Sequence, residues 1–203
     1  MALLGALARV KATSTVRYEW SRSLMIAQIW RRLDSMGSIE ERRAAAEAVV
    51  QAWLADVEVP YESGTRRGEY VLQLPGEAKL RTTVSVVVGD RGLRAVAFVV
   101  RRPDENHEEF YRWLLARNAR LPGVAFALDR LGDVYLVGRL PLAAVSVDSL
   151  DEVLGVILST ADASFNDLLA LGFATSIRKE WAWRLSRGEP TGNLAAFEHL
   201  RED

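Results

Sequence analysis

The amino-acid pattern predicts an α+β fold: an antiparallel sheet of about five strands flanked by helices, in the order α-β-β-β-α-β-β-α-α. Three observations carry this. Alternating apolar stretches are bunched between helical ones instead of following them one for one. Short turns join the strand candidates, which pairs neighbours antiparallel. The helical candidates place apolar residues three and four apart, giving each one buried face.

Residues 1–37 precede the first clear element. Leu3, Leu4, Leu7 and Val10 have helical spacing, as do Leu24, Ile26, Ile29, Trp30 and Leu33, with unpatterned sequence between. Six Lys/Arg against two acids make this end basic. It is expected to be a leader, disordered or outside the native domain, with a start placed upstream of Met36. A basic amphipathic anchor or partner helix is the alternative.

Ser38-Ile39-Glu40-Glu41 has the capping-box pattern, and Ala46, Val49, Val50, Trp53, Leu54 and Val57 form one helical face that Pro60 ends. Strands are predicted at residues 69–74, 80–88 and 93–100, with Gly89-Asp90-Arg91-Gly92 as a tight turn. Asn106 is the expected N-cap of a second helix carrying Phe110, Trp113 and Leu114, stopped by Leu121-Pro122-Gly123. A hairpin follows, residues 124–128 and 134–139, turning through Asp129 to Asp133 with Gly132 at the position of positive φ. Ser149-Leu150-Asp151-Glu152 is a second capping-box pattern. Its helix uses Leu150, Val153, Leu154, Ile157 and Leu158, breaks near residues 160–163, and resumes to Gly172 as a C′ glycine. A last helix with Ile177, Trp181 and Leu185 closes at Gly188-Glu189-Pro190. The domain is thus placed at 38–189, with 190–203 a C-terminal tail.

The 203 residues are 49% hydrophobic, enough for a core, and the net charge of −1 supplies no field for nucleic acid. The absence of cysteine removes disulfides, thiolate metal sites and cysteine nucleophiles. His107 and His199, far apart, are the whole histidine supply, which argues against a histidine metal site and a Ser-His-Asp triad. No apolar run reaches the ~18–20 residues that span a bilayer. No cofactor or metal is expected. Asp129 and Asp133 flank a turn without the calcium-loop pattern, and turn chemistry accounts for both. Residues 64–68 lack the Lys-Ser/Thr of a phosphate loop. One basic face remains: Arg178 and Arg184, with Trp181 and Trp183, on the last helix. Basic residues beside aromatics hold anions, although helix-end cations and cation–π packing explain them as well. Arg117 and Arg139 complete the candidate anion set.

Several stretches carry a family resemblance: Leu74-Pro75-Gly76-Glu77 with Lys79-Leu80; residues 97–103; Tyr111-Arg112-Trp113-Leu114-Leu115 with Asn118; Phe126-Ala127-Leu128-Asp129 with Gly132-Asp133; Tyr135-Leu136-Val137-Gly138; Ala161-Asp162 with Phe165-Asn166; Gly172-Phe173; and Trp181-Ala182-Trp183-Arg184. Together they resemble the bacterial YbjN family of sensory-transduction regulators in its actinobacterial form, over about residues 38–189. Ala170 stands where that form is expected to have an acid. The resemblance implies a fold similar to type III secretion chaperones and a non-catalytic, cytoplasmic protein that binds an unidentified protein partner. It also implies a homodimer and a role in stress or signalling control; the near-neutral charge adds the expectation of no nucleic-acid or membrane partner. A small anionic-ligand sensor using the last helix's basic face is the alternative.

Overall fold

Six strands form a single antiparallel sheet in the order β1-β2-β3-β4-β6-β5. They are β1 (Tyr61–Ser63), β2 (Glu69–Pro75), β3 (Arg81–Gly89), β4 (Gly92–Val100), β5 (Val124–Leu128) and β6 (Val134–Leu140). The computed structural model describes residues 37–201, so the expectations for the leader fall outside the described residues. The chain divides into two units, Met1–Arg42 and Arg43–Asp203. What is described of the first is a capping box: the Ser38 N–H donates to the Glu41 carboxylate at 2.7 Å and the Glu41 N–H to Ser38 Oγ at 3.2 Å.

Helix α1 (Ile39–Asp56) runs on from that cap and, within the second unit, buries Ala46, Val50, Trp53 and Leu54. Helix α2 (His107–Asn118) leads from β4 to the edge strand β5, and β6 returns to pair with β4. Helices α3 (Val147–Gly172) and α4 (Ala174–Arg187) complete the fold. Period-two alternation sends Leu72, Val84, Val86, Ala95, Ala97, Val134 and Leu136 to one sheet face, where they form one core with Leu150, Ile157, Ala161 and Leu168 of α3. Alone among the described residues, α3 is long and apolar enough by composition to cross a membrane; its Leu150, Val153, Leu154, Ile157 and Leu168 are buried in the core.

The structure corrects several expectations, each for a local reason. Strand β1 was unforeseen, because its three exposed residues carry no alternation. Asn106 does not cap α2 with its side chain: it adopts φ 52° and donates through Nδ2 to the Leu171 carbonyl. The cap of α3 is Ser146, whose Oγ accepts the Ser149 N–H at 3.1 Å while Ser149 Oγ accepts the Ser146 N–H at 2.9 Å; Ser149 is the third helical residue. The expected break near residues 160–163 is absent, since Thr160, Ala161 and Ser164 are small residues turned into the core of a continuous helix. Gly172 is the last residue of that helix, and its lack of a side chain serves packing: a Cβ would lie 2.8 Å from Pro103 Cβ and 2.9 Å from Phe110 Cε2. The stretch expected as a tail forms 3-10 turns over Gly192–Leu200, burying Leu194 and Phe197.

Candidate protein-binding face

The helices' buried side chains meet one face of the sheet, and the other face carries a distinct set of residues in register. One rung is Glu69, Val87, Arg94 and Arg139 across β2, β3, β4 and β6. The next is Val71, Ser85, Val96, Val137 and Ala125. A third joins Phe98, Tyr135 and Ala127, with the Phe98 and Tyr135 rings edge-on at 5.5 Å. These residues are partly or fully exposed, Phe98 at 39%.

An open basin of about 930 Å³ occupies the β3–β4 turn end of this face, bordered by Arg66, Arg91, Arg94 and Arg139 over Val87, Val96 and Pro141. A smaller recess of about 200 Å³ shares Arg94 and Val96 with it and reaches Leu128, Asp129 and Tyr135. The two acids of the basin are already engaged. Asp90 accepts from Arg43 Nη1 at 3.0 Å. Glu69 accepts from Ser85 Oγ at 2.7 Å and from the Arg66 N–H at 3.0 Å, and the Ser85 bond leads in holding its carboxyl below the usual range. The guanidiniums of Arg91, Arg94 and Arg139 make no ion pair among the described residues. At the other end, burial first and then the charges of Asp129 and Asp133 push the Tyr135 phenol up.

The β5–β6 turn is Asp129's own work. Its Oδ1 accepts from the Leu131 and Asp133 N–H groups at 2.8 and 2.9 Å, with Gly132 at φ 87° between them. Asp133 Oδ1 accepts the Arg102 N–H at 2.8 Å. Among the described residues no group of three or more His, Cys, Asp or Glu is placed to hold a metal.

The six residues singled out from sequence lie on three elements. Arg117 is in the last turn of α2, its guanidinium 5.5 Å from the centre of the Trp113 ring. Arg139 lies on the uncovered sheet face. Arg178, Trp181, Trp183 and Arg184 share α4. Trp181 is 6% exposed, and its indole N–H donates to the Phe197 carbonyl. Arg184 donates to Glu180 and to the Pro190 carbonyl, both at 2.7 Å. Trp183 is exposed, with Arg187 5.0 Å from its ring. Arg178 adds a favourable charge beside Glu105. Sequence reasoning missed Arg91 and Arg94. Alternation along β4 puts Arg94 with Val96 and Phe98, but its pairing with Arg139 depends on the non-local β4–β6 register.

Among the described residues, a six-stranded antiparallel sheet with helices packed on one face and the other face exposed defines an α+β architecture. The chain belongs to the YbjN family, described as "Putative bacterial sensory transduction regulator", whose pattern matches residues 47–170. It is 49% identical over 159 residues to an uncharacterised protein of Mycobacterium tuberculosis (strain ATCC 25618 / H37Rv), covering 76% of this chain and 87% of that one. An uncharacterised protein of Mycobacterium leprae (strain TN) is 53% identical over 133 residues, 66% of this chain and 72% of the other. Among solved structures it is similar to a chain of the ExsC–ExsE complex, at 18% identity and TM-score 0.47, covering 62% of this chain and 94% of that one. It is also similar to one in the complex of the Yersinia pestis type III secretion chaperone SycH with a fragment of YscM2, at 16% identity and TM-score 0.45, covering 59% and 98%.

Proposed function

We propose that this chain is a non-catalytic, protein-binding regulator or chaperone-like module, acting in the cytoplasm as a homodimer in stress or signalling control. The observation that carries the reading is the sheet face that no helix among the described residues covers. Val71, Val87, Val96, Val137 and Phe98 present apolar surface there in a contiguous, in-register patch, and such patches mark interaction sites. Membership of a family described as sensory-transduction regulators supports the regulatory part.

Cross-linking in cells followed by affinity purification of the full chain tests it. A protein partner recovered with the wild type and lost with Val96→Glu/Val137→Glu supports the reading, provided circular dichroism shows the variant folded. Recovery of the same proteins by both forms, or of none by either, overturns it. Sedimentation velocity reports the dimer directly.

A further inference from the structure

We propose that the arginine end of the uncovered sheet face binds an acidic, extended stretch of the partner protein, seating its carboxylates on Arg94 and Arg139. This rests on the protein-binding reading above. Arg94 and Arg139 are direct cross-strand neighbours, so two guanidiniums face outward from one rung. Like charges so placed destabilise a sheet, and Arg91 in the adjoining turn adds a third. The neighbouring acids form no ion pair with them among the described residues: Asp90 accepts from Arg43, and Glu69 from Ser85 and the Arg66 N–H. An incoming carboxylate therefore meets unpaired forks suited to bidentate capture.

The surface between these charges is apolar, made by Val87 and Val96. An extended occupant turns every second residue to the sheet, so a segment with its acids two apart, followed by aliphatic residues on the same face, matches it. The basin and the smaller recess join through Arg94 and Val96 into a track longer than one small anion fills. Asp129 at the far end of that track repels acids. The carboxylates of the segment thus belong at the Arg94 end, which sets its direction across the sheet.

The test uses the full chain, as wild type and as Arg94→Gln/Arg139→Gln. Among the described residues neither guanidinium makes an ion pair, so the variant should keep its fold and melt no lower than the wild type. The probes are a fluorescein-labelled Glu–Leu peptide, Glu-Ser-Glu-Ser-Leu-Ser-Leu, and its counterpart with Lys in place of Glu. The expected result is salt-sensitive binding of the Glu–Leu peptide alone, weakened about tenfold or more in the variant. Equal affinity of both proteins for that peptide overturns the proposal. So does its displacement by inorganic pyrophosphate at concentrations below those of the peptide, which makes this a small-anion site. Loss of self-association in the variant overturns it too, by making a second copy the occupant. The cell experiment separates the two readings. A partner lost by Val96→Glu/Val137→Glu but retained by Arg94→Gln/Arg139→Gln sinks the acidic segment and leaves protein binding standing. A partner retained by both sinks protein binding at this face.

Discussion

Asn118 pairs with Phe126 through both ends of its amide: Oδ1 accepts the Phe126 N–H at 2.7 Å and Nδ2 donates to the Phe126 carbonyl at 3.2 Å. Phe126 lies on β5, an edge strand, so one side chain supplies the pairing that a further strand would provide. Asn118→Leu leaves two part-buried backbone groups unpaired. At about 1–3 kcal/mol for each unsatisfied group, the variant should show a clearly lowered midpoint in urea, with Asn118→Asp in between because it keeps the acceptor.

Helix α3 packs against β6 at Gly138, where a Cβ would stand 2.6 Å from Val153 Cγ1. Gly138→Ala should cost about 1–3 kcal/mol by overpacking, and Gly138→Ala/Val153→Ala should recover part of that loss in the same denaturation assay.

Thr82 Oγ1 and Ser164 Oγ are buried without a hydrogen-bond partner, and both residues are 0% exposed. Thr82→Val and Ser164→Ala should each raise the melting temperature, by an amount equivalent to about 1 kcal/mol. A fall in either variant would show that the hydroxyl is satisfied by a bound water.

The first turn of α4 is tied to the β4–α2 loop by Glu105, whose carboxylate accepts the Thr175 N–H at 2.7 Å and the Thr175 hydroxyl at 2.9 Å. The backbone bond first, then the hydroxyl, holds its pKa below the ordinary 4.5. The folded value is depressed, so this contribution is present above pH 4.5 and is lost as pH falls through the folded value. Thermal melts at stepped acidic pH should show wild type losing more stability than Glu105→Gln.

Lys79 gives the opposite flank of the pH profile. Its ammonium donates to the Phe98 and Val99 carbonyls, which lie beyond the last β3–β4 pair, Val84 with Ala97. The Phe98 and Phe165 rings lie 5.1 and 5.8 Å away. Burial pushes its pKa down to about 8 from the ordinary 10.5. Between those values the unfolded chain binds more protons, so this group's contribution to stability rises with pH through that window. The wild type should gain stability relative to Lys79→Met from pH 8 to 10.5.

What was legible in the sequence was local. The Ser38 box, the alternation of β3 and β4 and the Asp129 turn depend on residues within a few positions of each other, and the structure has all three. Ser146 and Ser149 are equally able to cap, and the choice falls to Ser146, because Ser149 Oγ also donates to the Ala144 carbonyl at 2.8 Å. Pairings distant in sequence were not legible. Asn106 reaches Leu171, Trp181 reaches Phe197, and Arg94 faces Arg139. The last of these explains why the candidate site was only partly visible: Arg139 stood out as a cation, but its partner across the sheet did not.

The position of α3 in the chain also bears on how the protein is made. All six strands precede it, yet its Leu150, Ile157 and Leu168 cover their apolar face. During synthesis the core valines of β3 and β6 leave the ribosome with only α1 made ahead of them and before α3 exists. The nascent sheet is therefore sticky for as long as translation takes to pass Gly172, and premature termination upstream of α3 yields an aggregation-prone fragment.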